Sequence, residues 1–202
     1  MKSVLISIKP QWCALIANGR KTIEVRKTRP KLEAPFKCYI YCTKDKGISF
    51  WTGKRYAYAD DRSHNLFDVC GNGKVIGEFV CRNMTCMQAD IDSKGEKHLY
   101  NTAFIANRMC LTDEELFNYI YDGKRNIGWA WGISDLVIYD KPKELSEFYK
   151  YCGDNPDCDG CNAHYYSNTE CGLEDYCCSK IDGCRPVNRP PQSWCYVEEV
   201  EE

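Results

Sequence analysis

Lys21, Glu24 and Arg26 fall within six residues of one another in "GRKTIEVRK", just after a short apolar stretch ends at Gly19. An ammonium, a carboxylate and a guanidinium gathered at one strand end can move protons, or can bind a polar base and its phosphate. The same spacing also suits an ion-pair ladder on an exposed strand face, which would contribute little. Deciding between these readings requires the elements that position the three side chains.

The chain has 202 residues and a formal net charge of -2, with 15 cysteines. That is long enough for one core with elaborated loops. The charge is unevenly spread: Met1 to Arg55 holds 13 basic residues against 3 acidic ones, and the remainder holds 14 against 26. The balance excludes a protein that coats nucleic acid by bulk charge, whereas the basic third, which contains Lys21, would attract a phosphate-bearing ligand. The N-terminus has too short an apolar run for a signal peptide or a membrane span, which predicts a cytoplasmic protein with no membrane partner.

The apolar, β-branched run "SVLISI" predicts a buried strand over 3–8. Pro10 opens a helix over "PQWCALIAN" with Trp12, Leu15 and Ile16 on one face, and Gly19 ends it. In "KTIEVRK" the alternation points Ile23 and Val25 one way and Thr22, Glu24 and Arg26 the other. "FKCYIYC" over 36–42, the turn Asn72-Gly73 followed by "KVIGEFVC", "GWAWGISDLVIYD" over 128–140 and "PPQSWCYVEE" predict further strands. Thr112 and Glu115 form a capping box for a helix with the stripe Leu116, Tyr119 and Ile120, and "KPKELSEF" suits a short helix. Residues 43–70 have no clear period and read as an elaborated loop. Few crossover helices separate the strands, so the expected class is α+β: a small mixed or antiparallel barrel with a few short helices, in a single domain over 1–202.

"GRKTIEVR" matches the G-x-K-x-x-E-x-R motif of the ASCH domain, a member of the PUA-like superfamily. "SIKPQWCALIANG", "GKVIGEFVC", "GWAWGISDLVIYDKP" and "RPPQSWCYVEE" resemble, in order, that family's lead-in, central, later and terminal segments, the last as in bacterial and phage-encoded members. The resemblance implies a PUA-like barrel whose cleft, lined by the motif, binds RNA or a modified nucleoside. It also implies a hydrolase alternative, because some small members deacetylate N4-acetylcytidine with a Lys, a Thr and a Glu, and another is a ribonuclease. By position that Lys is Lys21 and that Glu is Glu78, but Glu24 stands where the Thr would be, and a carboxylate replaces a hydroxyl nucleophile poorly. As an enzyme the chain would use Lys21, Glu24 and Glu78, with Arg26 steadying negative charge.

As a binding module it would use Lys21, Thr22, Glu24 and Arg26. Trp129 and Trp131, two apart on one strand, would supply a stacking wall together with Trp12, Trp194 and Tyr196. Ser193 and Arg189 would stand at the cleft mouth. Core packing is the competing role for the aromatics.

The segment 152–185 holds seven cysteines and few aliphatic residues. The pair Cys158 and Cys161, with two residues between them, together with Cys152 and one of Cys171, Cys178 or Cys184, predicts a four-thiolate structural zinc site, with His164 the weaker alternative as fourth ligand. The insertion would serve equally as a docking surface for a protein partner, the third functional alternative. His64, His98 and His164 stand alone in predicted loops, and the other eight cysteines read as core or near-core residues.

Overall fold

The structure is a computed structural model, and it describes residues 1–52, 69–151 and 186–200. The zinc ligands predicted at Cys152, Cys158, Cys161, Cys171, Cys178 and Cys184 lie outside the described residues, as does most of the elaborated loop 43–70.

The described strands are β1 (Lys2–Ile8), β2 (Ile23–Arg26), β3 (Phe36–Cys42), β4 (Trp51–Thr52), β5 (Val69–Cys70), β6 (Val75–Ile91), β7 (Lys97–Tyr100), β8 (Ile127–Lys143) and β9 (Trp194–Glu198). Among the described residues three α-helices accompany them: α1 (Pro10–Ala17), α2 (Ala106–Met109) and α3 (Asp113–Ile120). The main sheet has the order β2-β8-β6-β3-β1-β9, with β7 added to β6, while β4 and β5 form a separate two-stranded ladder. All pairings are antiparallel except β1 with β3, which are parallel because the chain passes through α1 and β2 between them. The expected mixed sheet with a few short helices is what the chain adopts. The sheet is barrel-like but not closed by hydrogen bonds: β2 and β9 lie at its two ends and do not pair.

One face of the curled sheet and α1 enclose the main core, built from Val4, Ile6, Ile8, Cys38, Ile40, Phe79 and Trp131. The other face of β1 and β3 is also covered: Leu5, Tyr39 and Tyr41 pack with Phe148 and Val187. Burial on both faces explains why β1 and β3 read as nearly continuous apolar runs. A third cluster, including Ile23, Val25, Met87, Leu116 and Ile120, fixes α2 and α3 against β2, β6 and β8.

Several local expectations are revised. The last helix predicted near 141–148 is a short 3-10 turn at Leu145–Glu147, because β8 runs on to Lys143. In α3 the buried residues are Leu116, Phe117 and Ile120, and Tyr119 faces outward. In α1 the buried residues are Pro10, Cys13, Ala14 and Ile16, which frees the Trp12 ring to reach the edge of the fold. The capping box of Thr112 and Glu115 forms with both of its hydrogen bonds.

Candidate functional site

Strand β2 is buried on both faces. Ile23 and Val25 enter the α2–α3 cluster, while Glu24 and Arg26 point toward the main core, paired across the ladder with Trp131 and Trp129. An exposed ion-pair ladder is therefore not what the motif forms: Lys21, Glu24 and Arg26 are only 3%, 6% and 8% exposed.

Their charges are arranged in a chain. Glu24 Oε2 lies 3.5 Å from Lys21 Nζ, and Glu24 Oε1 lies 3.0 Å from Arg26. Lys21 Nζ also donates to the Met109 carbonyl at 2.6 Å and sits 5.2 Å from the centre of the Trp12 ring. Arg26 donates to the Ser7 carbonyl on β1, and its buried Nε has no acceptor. One carboxylate thus serves two buried cations, leaving a surplus positive charge and an unfilled donor.

The turn that delivers Lys21 follows from the end of α1. Gly19 adopts φ +70°, a left-handed conformation open to glycine, and the amides of Arg20 and Lys21 return to the Leu15 carbonyl at 2.9 and 3.0 Å. The segment 105–111 then clamps the motif from outside. Thr22 N donates to the Arg108 carbonyl at 3.1 Å, Arg108 Nε donates to Thr22 Oγ1 at 3.0 Å, and Cys110 Sγ lies 3.4 Å from the Arg20 carbonyl. Cys110 itself is left-handed, with φ +55°, which turns the chain between Met109 and Leu111.

Above the three charged groups lies a cleft of about 320 Å³. Trp12 and Tyr119 are its aromatic walls and Val25 and Leu111 its apolar ones; Lys9 and Glu115 stand with the motif charges around it. Burial pushes the Tyr119 phenol up, and the positive charge of Arg26, followed by hydrogen bonding to Arg26 and to the Lys27 backbone, opposes that shift. Neither Met109 nor Tyr119 could be read from the motif. The only signal for Tyr119 was an aromatic at helical spacing, which pointed instead to the core.

Other predicted site residues lie elsewhere. Glu78 does not join Lys21. Its carboxylate accepts from Tyr139 Oη at 2.6 Å and pairs with Lys37 at 3.3 Å, on the sheet face that carries Tyr39. The cause is a register shift at Gly77, which places Ile76 and Phe79 both in the main core and turns Glu78 to the opposite side. Trp131 is fully buried between Phe36 and Trp194 and has no face for a ligand. Trp129 is half-buried with Arg29 4.5 Å over its ring. Thr22 is held by Arg108. Ser193 does not line the cleft; its carbonyl accepts from Ser7 N at 2.9 Å, next to the carbonyl that Arg26 uses.

Among the described residues, Asp92, Glu96 and His98 form the one group whose ligand atoms lie within 4.8 Å of one another. His98 is therefore not alone: its Nε2 is 3.3 Å from Asp92 Oδ2. The Asp92 carboxylate also accepts from the amides of Lys94 and Glu96, which accounts for the group as the turn between β6 and β7.

Neither a family model nor a curated protein sequence matches the chain. Among solved structures it is similar to the ASCH protein of Zymomonas mobilis, at 14% identity and a TM-score of 0.49 over 98% of this chain and 88% of that one. A single-residue variant of the same Zymomonas mobilis protein gives 14% identity and a TM-score of 0.50 over 98% of this chain and 92% of that one. With the order of strands and the placement of the motif on β2 already established, the fold of this chain is that of an ASCH domain.

Proposed function

We propose that the cleft binds a nucleoside, free or within RNA, with the base against Trp12 and a polar or anionic group toward Arg26 and Lys21. The observation that carries this reading is the buried chain Lys21–Glu24–Arg26, whose two cations share one carboxylate beside an open cleft. Arg26 lines the cleft and shares its carboxylate partner with Lys21, so an anionic ligand group would offset the excess positive charge. Lys21 has three N–H donors, of which Met109 and Glu24 account for two. The cleft volume, about 320 Å³, is at the small end of ligand clefts, which run from about 300 to 1,000 Å³.

Calorimetric titration with cytidine and cytidine monophosphate tests this. Lys21→Met should weaken the monophosphate more than the nucleoside, and Trp12→Ala should weaken both by about tenfold or more, since base stacking contributes about 1–3 kcal/mol. Equal affinities for wild type and both variants would refute it.

Hydrolysis is the second reading, favoured by the meeting of Lys21 and Glu24 at 3.5 Å. Against it, Glu24 is engaged by two cations and Lys21 acts as a donor to a carbonyl, while Glu78 faces the other side of the sheet. Incubation of wild type and Lys21→Ala with N4-acetylcytidine, followed by chromatography, separates the two readings: product from the wild type alone makes the site hydrolytic.

A further inference from the structure

Strand β7 pairs with β6 along one edge, and among the described residues no strand lies beside its other edge. The hairpin decides which backbone groups that edge offers. Asp92 N donates to the Glu96 carbonyl at 3.0 Å, so the bonded pairs of this antiparallel ladder are 92 with 96, 90 with 98 and 88 with 100. Ala89 N keeps the same parity, since it donates away from β7, to the Asn126 carbonyl at 2.8 Å. His98 and Tyr100 therefore direct their backbone groups to β6, while the N–H and C=O of Lys97 and Leu99 point outward.

A cavity of about 410 Å³ lies between β7 and the start of α3. Leu99 and Phe117 are its apolar lining, and Thr102, Asp113 and Glu114 its polar one. Thr102 is 8% exposed, and its hydroxyl has no hydrogen-bond partner among the described residues. A buried hydroxyl without a partner is costly, and a donor entering the cavity would satisfy it. Asp113 and Glu114 are exposed carboxylates facing one cation, Lys97, which lies 5.1 Å from the centre of the Phe117 ring and reaches Glu114 at 4.0 Å. Asp90, Asp92 and Glu96 in the hairpin outnumber Lys94, so the edge is acidic. Apolar surface adjoins it: Tyr100 is 49% exposed and Phe104 96%. Rings left to solvent beside a groove mark a surface for protein contact.

We propose that the groove between β7 and α3 takes an extended, basic peptide segment of a partner protein, which adds to β7 as a further strand. Hydrogen bonds to the outward backbone groups of Lys97 and Leu99 hold such a segment, and its alternate side chains decide which segment fits. A strand laid on this edge turns every second side chain toward α3. One apolar side chain there meets Leu99 and Phe117. A Lys or Arg two residues along meets Asp113, Glu114 and the Thr102 hydroxyl. The same carboxylates repel an acidic segment. This surface is apart from the cleft around Lys21, and neither reading depends on the other.

The test is amide hydrogen exchange and titration of the full chain, read by NMR, with a peptide of Val-Thr-Lys-Thr repeated twice. The controls are the same peptide with Glu in place of Lys, and a version N-methylated at all its amides. In the free chain the Lys97 and Leu99 amides should exchange rapidly. At saturating basic peptide both should slow by about tenfold or more, with His98 and Tyr100 changing less, because their amides are already bonded to β6. The acidic peptide should bind about tenfold more weakly, and the N-methylated one not at all. Asp113→Asn with Glu114→Gln changes two exposed groups and should weaken the basic peptide about tenfold. Binding that leaves Lys97 and Leu99 exchange unchanged, equal affinity for basic and acidic peptides, or no binding at about 1 mM overturns the proposal. Slow Leu99 exchange without peptide, together with a dimer in sedimentation, would overturn it in favour of a second copy of this chain at the same edge.

Discussion

The Arg26 guanidinium, on the strand at one end of the sheet, donates to the carbonyl of Ser7 on β1, next to the strand at the other end. Two further contacts reinforce this seam, Trp194 Nε1 with Thr28 Oγ1 at 3.0 Å and Trp194 with Trp131 at 6.1 Å between ring centres. Side chains, not a ladder, bring the sheet ends together, and the candidate site occupies the junction. The side chains that line the candidate site also hold the fold, so any ligand bound there would act on stability as well.

Glu24→Gln should reveal that sharing. The substitution keeps the shape but leaves Lys21 and Arg26 buried without their common counter-charge. Breaking a buried pair typically costs about 3–5 kcal/mol. Urea unfolding should therefore show a lower midpoint than wild type, and added phosphate should raise the variant's midpoint more than the wild type's by supplying the missing negative charge. An unchanged midpoint would mean that water already screens the two cations.

Gly77→Ala should disrupt the register shift that turns Glu78 away from the site. A Cβ at this position would strike the Val137 carbonyl and approach the Ile138 Cα and Cδ1, each at 3.1 Å. Backbone cannot yield as a long side chain can, and overpacking of this kind costs about 1–3 kcal/mol. Thermal unfolding checks the loss. Gly132→Ala provides the contrast, because its Cβ would meet the Asn83 side chain, which can rotate; it should lose less.

The Gly77 shift also explains what could and could not be read from the residues alone. Glu24 and Arg26 were grouped correctly by alternation within their strand, and Lys21 joins them through the turn at Gly19. Their partners were not legible: the Met109 and Ser7 carbonyls come from distant segments and carry no side-chain signature. Strict alternation through "VIGEF" sends Glu78 to the same side as Ile76, and one extra residue in the strand reverses it. The same effect hid the length of β6 and β8, seventeen residues each, whose pairing shifts register three times. Strand alternation likewise placed Trp129 and Trp131 on one side correctly, but could not tell that Trp131 lies wholly within the core while Trp129 reaches the surface.

Thr112→Ala should loosen α3, and with it Tyr119 and Glu115 at the cleft. Loss of an N-cap side chain costs about 1 kcal/mol. The Thr112 amide, and then its hydroxyl, hold the Glu115 carboxyl below its ordinary value. A carboxyl depressed by folding stabilises the protein above its unfolded pKa and loses that contribution as pH falls through the lower folded one. Wild type should therefore lose stability on acidification in this range, and the variant should show a shallower acid arm in urea midpoints. Equal slopes would show that the Thr112 hydroxyl adds nothing to the amide contact.

Zinc should co-purify with the full chain when no chelator is used, held by Cys152, Cys158, Cys161 and one of Cys171, Cys178 or Cys184. Structural zinc contributes folding free energy directly. Metal analysis of wild type and Cys158→Ser with Cys161→Ser checks it. Wild type free of zinc, or undiminished content in the variant, would refute the assignment.

The thiols set the alkaline limit of stability. Burial raises Cys81 to about 11, although the Asn83 and Gly132 backbones pull the other way, and burial raises Cys195 to about 11 as well. In the unfolded chain both would ionise near the ordinary thiol value of 9.0. The folded state then holds protons that the unfolded state has released, so stability is complete below that ordinary value and falls as pH rises from it toward the folded one. Urea midpoints should be flat up to about pH 8 and decline above it, and Cys81→Ala, although less stable at every pH, should decline less steeply. The same protonation should leave Cys81 and Cys195 unmodified by iodoacetamide in the native state near neutral pH, because the thiolate is the reactive form. Rapid labelling of either residue under native conditions, read by peptide mass spectrometry, would show that its surroundings do not hold the proton.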